Sequence, residues 1–365
     1  MKKVITEAFH IVLLNVFFLI LILSAILCNA QPFHKTLLAL SKTDHRLVMI
    51  DPATFRIIAR IPVGEDPHEV IASSDGKTAY VSIYGGGSLH ELNVIDLVQK
   101  KPLTNIDTRP LFGPHGLAFV QGKVWFTAEG SKSIGRYDPA TRKVDWSMGT
   151  GEDRTHMIYV TANAKKIYTT NVASGTVSIL VDTLMRQGPP PPQGRKAPGQ
   201  NPSSHMPPPP FVRSHENWEQ TVIPVSKGSE GFDVSPDGSE LWTVSAEDGA
   251  IFIIDLSAKK LSSKIDAKIS GANRLKFTPD GKMVFISSLQ SGDVAIYDAK
   301  THAEIKCLNI GKGATGILMD KDSPRAFVAS SGDNYLAVIN LKSLTVTAKI
   351  DVGGMPDGLA WAVQH

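Results

Sequence analysis

Three histidines occupy matching settings in the first half of the chain: His68 in DPHEV, His115 in GPHGL and His156 in RTHMI. When each is aligned on the apolar run that follows it, the same column continues as Glu230 in GSEGF, Asn273 in GANRL, Thr315 in GATGI and Asp357 in MPDGL. All seven are polar. Imidazoles at His68, His115 and His156 with the carboxylate of Glu230 are the ligand types of a zinc site, or of another divalent cation such as magnesium or manganese, with a position left open for water or substrate. Glu129 in FTAEG is placed to reach the same point, and the acids of GED at 64–66 and 151–153 could orient the imidazoles from behind. The chemistry would be polarisation of a carbonyl or activation of water, with His115, His156 or Glu129 in catalytic roles. A wet channel mouth also needs polar residues, so the same column suits a ligand- or partner-binding rim, or a plain lining.

Residues so far apart meet only if a repeat brings them together. An apolar triplet ending in Asp or Asn closes a strand at Asp51, Asp96, Asp138, Asp182, Asp255, Asp298 and Asn340, at intervals of 45, 42, 44, 73, 43 and 42 residues. Each unit reads as four short strands; the unit from Gly271 gives NRLKFT, MVFISS, VAIYD and EIKCLNI, separated by PDG, QSGD and AKTHA turns. Four antiparallel strands recurring about every 42 residues predict an all-β, seven-bladed propeller. The final phrase, GGMPDGLAWA, supplies one strand only, so the seventh blade must take its other three from residues 36–63. Closure of that kind joins the two ends of the chain in one sheet and places the polar column around one mouth of the central channel.

The succession of strand, PDG turn, then YVS ending at Ser82, YTTN at Asn171, ISS at Ser288 or FVAS at Ser330 resembles the YVTN-repeat propellers of bacterial exported and surface-layer proteins, over residues 36–363. That resemblance implies a seven-bladed ring whose repeated residues serve packing. Residues 112–138, FGPHGLAFVQGKVWFTAEGSKSIGRYD, are also similar to a blade of virginiamycin B lyase, which implies a metal-dependent enzyme with histidine and glutamate near a propeller mouth. The lyase's VWFTE signature does not recur elsewhere in the chain.

Lys2 and Lys3, the apolar run from Ile11 to Leu27 and the small residues before Gln31 are the layout of a secretory signal peptide, 1–30, cleaved after Ala30 or kept as an anchor. An exported, periplasmic or secreted bacterial protein without a membrane span after cleavage is the expectation. Cleavage leaves Cys307 as the sole thiol, so stability rests on strand ladders and core. The formal charge of +3 is near balance and argues neither for nor against nucleic acid, but Lys and Arg are dispersed, which argues against a nucleic-acid groove. Ten prolines fall within residues 189–210, so 186–217 reads as a disordered insertion in the third complete blade, a docking arm for a protein partner or a tolerated surface loop. The expected molecule is a monomer whose single propeller, 31–365, binds a small molecule or protein at its His-lined mouth without catalysis; a metal-dependent lyase or hydrolase of lactonase or esterase type is the alternative.

Overall fold

The computed structural model of the chain describes residues 34–186 and 214–364. These form seven sheets of antiparallel strands arranged as a propeller ring. Blade 1 spans 67–107, blade 2 114–149, blade 3 155–224, blade 4 229–265, blade 5 272–309 and blade 6 314–351. In blade 7 the C-terminal strand Pro356–Gln364 is innermost and pairs with His34–Ser41, outside which lie Arg46–Ile50 and Ile57–Pro62. The expected closure by both ends is therefore observed, with a register that runs from His34 opposite Gln364 to Ser41 opposite Pro356.

The strands of the unit from Gly271 are Ala272–Phe277, Met283–Ser288, Asp293–Asp298 and Glu304–Asn309, close to the expected boundaries. Side chains alternate across each sheet, so one strand feeds two cores. Phe285 packs between blades 5 and 6, while its neighbours Val284 and Ile286 pack between blades 4 and 5. Leu37 and Leu38 divide in the same way between the two faces of blade 7. A single blade would leave both apolar faces wet; the ring covers them all, as Trp125 between blades 2 and 3 and Trp242 between blades 4 and 5 illustrate by being fully buried.

The hydroxyl residues of the second strands explain the YVS- and YTT-like phrases. Thr127 Oγ1 accepts from Gly116 N–H at 2.8 Å and donates to the His156 carbonyl of the next blade at 2.5 Å. Thr170 donates to the Glu230 carbonyl and Ser287 to the Thr315 carbonyl, each at 2.7 Å. These buried bonds stitch the innermost strands of adjacent blades together just where the polar column starts. A side chain at Gly116 would close this space, since its Cβ would stand 2.6 Å from the His156 carbonyl oxygen.

The expected insertion is narrower than the sequence suggests. The third and fourth strands of blade 3 continue their ladder out to Arg186 opposite Ser214, so 214–217 is strand; 187–213 lies outside the described residues, as does the expected signal peptide, 1–30. Among the described residues no helix is long and apolar enough to cross a membrane.

Deleting residues 353–365 should remove the innermost strand of blade 7 and expose the faces packed on it. The expected product elutes as aggregate in size-exclusion chromatography and lacks a cooperative melt. A monomer with a normal melting transition would contradict closure as the source of stability.

Candidate metal centre

Two columns of side chains meet at the mouth, and one backbone bond aligns them. In every blade the residue two positions before the polar column has a left-handed backbone: Asp66 (φ 53°), Gly113 (65°), Arg154 (55°), Gly228 (78°), Gly271 (62°), Gly313 (69°) and Met355 (50°). In every blade its carbonyl accepts from the N–H of the first residue after the second strand. Those donors are Tyr84, Glu129, Val172, Ala246, Leu289, Ser331 and Lys42, at 2.8–3.2 Å. Each blade thus presents a pair, such as His68 with Tyr84, His115 with Glu129, and Asp357 with Lys42. Glycine takes the left-handed position in four blades; any other residue there costs on the order of 1 kcal/mol.

The pairs interact from blade to blade. His115, Glu129 and His156 are all buried, at 1%, 5% and 4% exposure, and one ligand atom from each lies within 4.8 Å of the others. The His115 and His156 rings lie 3.8 Å apart between centroids, tilted by 32°. Glu129 Oε1 accepts the His156 Nδ1–H, and its Oε2 accepts the Tyr84 hydroxyl at 2.5 Å. Arg154 Nε approaches the same Oε2 at 3.4 Å. His115 Nε2 meets His68 Nδ1 at 3.1 Å.

Two imidazole nitrogens are then left over. His115 Nδ1 and His156 Nε2 are buried and have no hydrogen-bond partner. Because Glu129 takes the proton on His156 Nδ1, Nε2 carries the bare lone pair. His68 Nε2 has two competing neighbours: Asp66 Oδ1 at 2.9 Å, which accepts a proton, and Lys42 Nζ at 2.8 Å, which supplies one. With Asp66 accepting, His68 Nδ1 accepts from His115 Nε2–H, and His115 Nδ1 is bare as well. With Lys42 donating, the chain reverses and His115 Nδ1 carries hydrogen. The first arrangement presents two buried lone pairs near a carboxylate; Asp66, through His68, orients His115 from behind, while Glu129 Oε1 is engaged by His156 Nδ1–H and would exchange that contact for the ion on becoming a ligand.

Of the residues expected at the site, His115, His156 and Glu129 come together; His68 stands one hydrogen bond away. Glu230, expected as a ligand, is drawn off by Asn273, whose Nδ2 donates to it at 2.7 Å, so Glu129 holds the carboxylate position instead. Thr315 bonds Ser331 Oγ and the Pro356 carbonyl in blades 6 and 7, away from the cluster, whereas Asp357 lies 3.8 Å from Lys42, on the His68 side of the mouth. Asp66 does orient an imidazole, whereas Asp153 pairs with Lys132 and Glu152 accepts from Thr176. Below the mouth, Arg274 Nη2 binds Glu69 Oε1 at 2.6 Å and so links blade 5 to blade 1 across the channel. Tyr84, Lys42, Arg154 and this buried ion pair were not singled out by sequence reasoning.

Charge follows from these contacts. Burial drives the His115 imidazole well below its ordinary pKa, and the charges of His156, His68, Arg274 and Lys42 add to the effect, so it is neutral at pH 7. Burial raises the Glu129 carboxyl, but hydrogen bonds from His156 and Tyr84 and the charge of Arg154 outweigh it and leave the group below its ordinary value. Burial and the Glu129 contact raise the Tyr84 phenol.

No family model matches the chain, so the likeness to YVTN-repeat proteins and to the lyase rests on the residues quoted above. Antigen Lp49 of Leptospira interrogans is 26% identical over 94 residues, 26% of this chain and 21% of that protein; the chain spans about a fifth of that curated relative. Solved structures show the fold much more broadly. A protein of unknown function from Desulfotomaculum acetoxidans superposes with a TM-score of 0.66 at 12% identity, covering 90% of this chain and 99% of that one. A candidate 6-phosphogluconolactonase from Bacteroides uniformis gives 0.67 at 14%, covering 91% and 100%, and one from Bacteroides fragilis 0.67 at 13%, covering 91% and 99%. The seven-bladed propeller is what this chain shares with them; at these identities the likeness extends to the fold alone.

In the metal-free protein, a His115 pKa held down by folding means that the unfolded chain takes up its proton first on acidification. The stabilisation is complete above about pH 6.5, the ordinary histidine value, and is lost as pH falls towards the folded value. Glu129 adds a loss of the same sign below about pH 4.3. The urea midpoint should therefore drop between pH 7 and pH 5, and drop less in His115→Gln. Equal slopes for the two proteins would contradict the assignment.

Proposed function

We propose that the protein binds a small oxygen-bearing molecule at the channel mouth through a divalent cation held by His115, His156 and Glu129. The observation that carries this reading is the pair of buried, unpartnered imidazole nitrogens beside a buried carboxylate. Leaving such groups bare costs about 1–3 kcal/mol each, and a cation is the partner their lone pairs fit. Two nitrogens and one oxygen favour zinc over the harder magnesium and manganese, which prefer oxygen and water.

Such an ion, when bound, polarises a carbonyl or lowers the pKa of a coordinated water. The chain's own residues supply the surroundings. Tyr84 fixes the second oxygen of Glu129, Asp66 and His68 fix the His115 tautomer, and the Arg274–Glu69 pair closes the channel below, so that ligand enters from the mouth. Metal-assisted hydrolysis or elimination at a lactone or ester is the reaction class this arrangement suits, and the candidate lactonases that share the fold are loosely in keeping with it.

Metal content after refeeding with zinc, measured by plasma mass spectrometry on the desalted protein, tests the reading. The expected result is close to one ion per chain, falling below a tenth of that in a His115→Ala, His156→Ala double variant that still melts cooperatively. Retention of zinc by that variant, or none in the parent, would refute it.

A further inference from the structure

The left-handed column assigns a role to one residue that metal binding leaves without one. Six of its seven members are accounted for without a free charge: four are glycine, Asp66 is spent on His68, and Met355 is an uncharged, exposed lip residue. The seventh is Arg154. Its carbonyl makes the same bond to the second strand's end as the others, so glycine would serve the backbone equally well, without the steric cost. An arginine in that conformation must be explained by its guanidinium.

That guanidinium stands beside the cluster and is not committed to it. Its ion pairs are long, Nε to Glu129 Oε2 at 3.4 Å and Nη2 to Glu230 Oε1 at 3.8 Å, it also neighbours the Tyr84 hydroxyl, and 45% of the side chain is exposed. The neighbouring cations differ. Arg274 is buried and bound to Glu69 at 2.6 Å, and Lys42 lies over the Asp66–His68 contact with Asp357 beyond it. Glu129 is the one carboxylate in the three-residue cluster, so a divalent ion there keeps a net positive charge, and Arg154 adds to it at the solvent edge. A guanidinium fork next to a Lewis-acidic ion is complementary to an oxyanion, which it can grip with two parallel N–H bonds.

We propose that Arg154 is the specificity-determining residue of the mouth: it binds a carboxylate or phosphate group of a small anionic ligand whose reacting oxygen faces the His115–Glu129–His156 cluster. This rests on the metal-site reading for the position of the reacting oxygen, but not for the anion contact itself.

The test titrates inorganic phosphate, and separately acetate, into zinc-loaded and metal-free protein by calorimetry, with the parent, Arg154→Gly and Arg154→Lys. Zinc content is measured in each. Arg154→Gly keeps the backbone bond that glycine makes in four other blades but loses the 3.4 Å contact to Glu129 Oε2, so zinc content and melting temperature are read beside anion affinity and the metal-free titrations carry the comparison. The affinity of Arg154→Gly for the preferred anion should fall at least tenfold, with Arg154→Lys recovering part of it. Tighter binding of phosphate or of acetate tells which group the site takes. Anion affinity unchanged in Arg154→Gly, or no anion binding by the parent in either state, overturns the assignment. If the parent takes up no zinc, the metal reading fails alone, and the metal-free titrations still decide the role of Arg154.

Discussion

One hydrogen bond, made seven times, organises the active end of this molecule. The carbonyl of a left-handed residue at the entry to each blade accepts from the N–H at the end of that blade's second strand. The bond joins the entry of each inner strand to the end of the second strand in the same way in all seven blades. Without it the polar column would still exist in the sequence, but its members would not share a plane with Tyr84, Glu129 and Lys42. Core packing sets the ring, with one apolar cluster at each blade interface, and this bond converts the ring into a site.

The seven positions are equivalent in backbone and unequal in chemistry. Blades 4 to 6 carry Ala246, Leu289 and Ser331 after the second strand, and their column residues satisfy one another, Asn273 on Glu230 and Thr315 on Ser331. Blades 7, 1, 2 and 3 carry the chemistry. In blades 7, 1 and 2 the side chain after the second strand reaches forward to the following blade: Lys42 to His68, Tyr84 to Glu129, and Glu129 to His156. The result is a continuous charged and aromatic sector along one side of the mouth, above a channel crossed by Arg274 and Glu69. Repetition gives the scaffold its regularity, and departure from it marks where selection for stability alone no longer explains the residue.

Much of this was legible in the primary structure. The spacing of the apolar triplets gave seven blades, the lone phrase at 353–365 gave the closure, and alignment on the inner strands gave the column with His68, His115 and His156. The carboxylate of the cluster was less legible: Glu129 stood as a candidate beside Glu230. Glu230 shares a column with the histidines and Glu129 does not, but a shared column reports height along the axis, not which neighbour a side chain faces. Two blades from His115, Glu230 is nearer Asn273; one strand away, Glu129 points at His156. The reach from one blade to the next is invisible when units are compared one at a time. A signal for Arg154 was present, however: four units read Gly-x before the column residue, while Asp66, Arg154 and Met355 break that rule. The proline-dense stretch shows the opposite limit, since composition cannot tell that the flanking ladder continues to Ser214.

The central claim is that imidazoles from blades 2 and 3 and a carboxylate from blade 2 form one cation site. X-ray absorption at the zinc edge of the zinc-loaded protein tests it most directly. The account predicts a low-coordinate shell of about two imidazole nitrogens and light oxygen donors at roughly 2.0–2.2 Å, with the imidazole scattering lost when His115 and His156 are replaced. A shell of oxygen donors only, or one unchanged by those replacements, would contradict it.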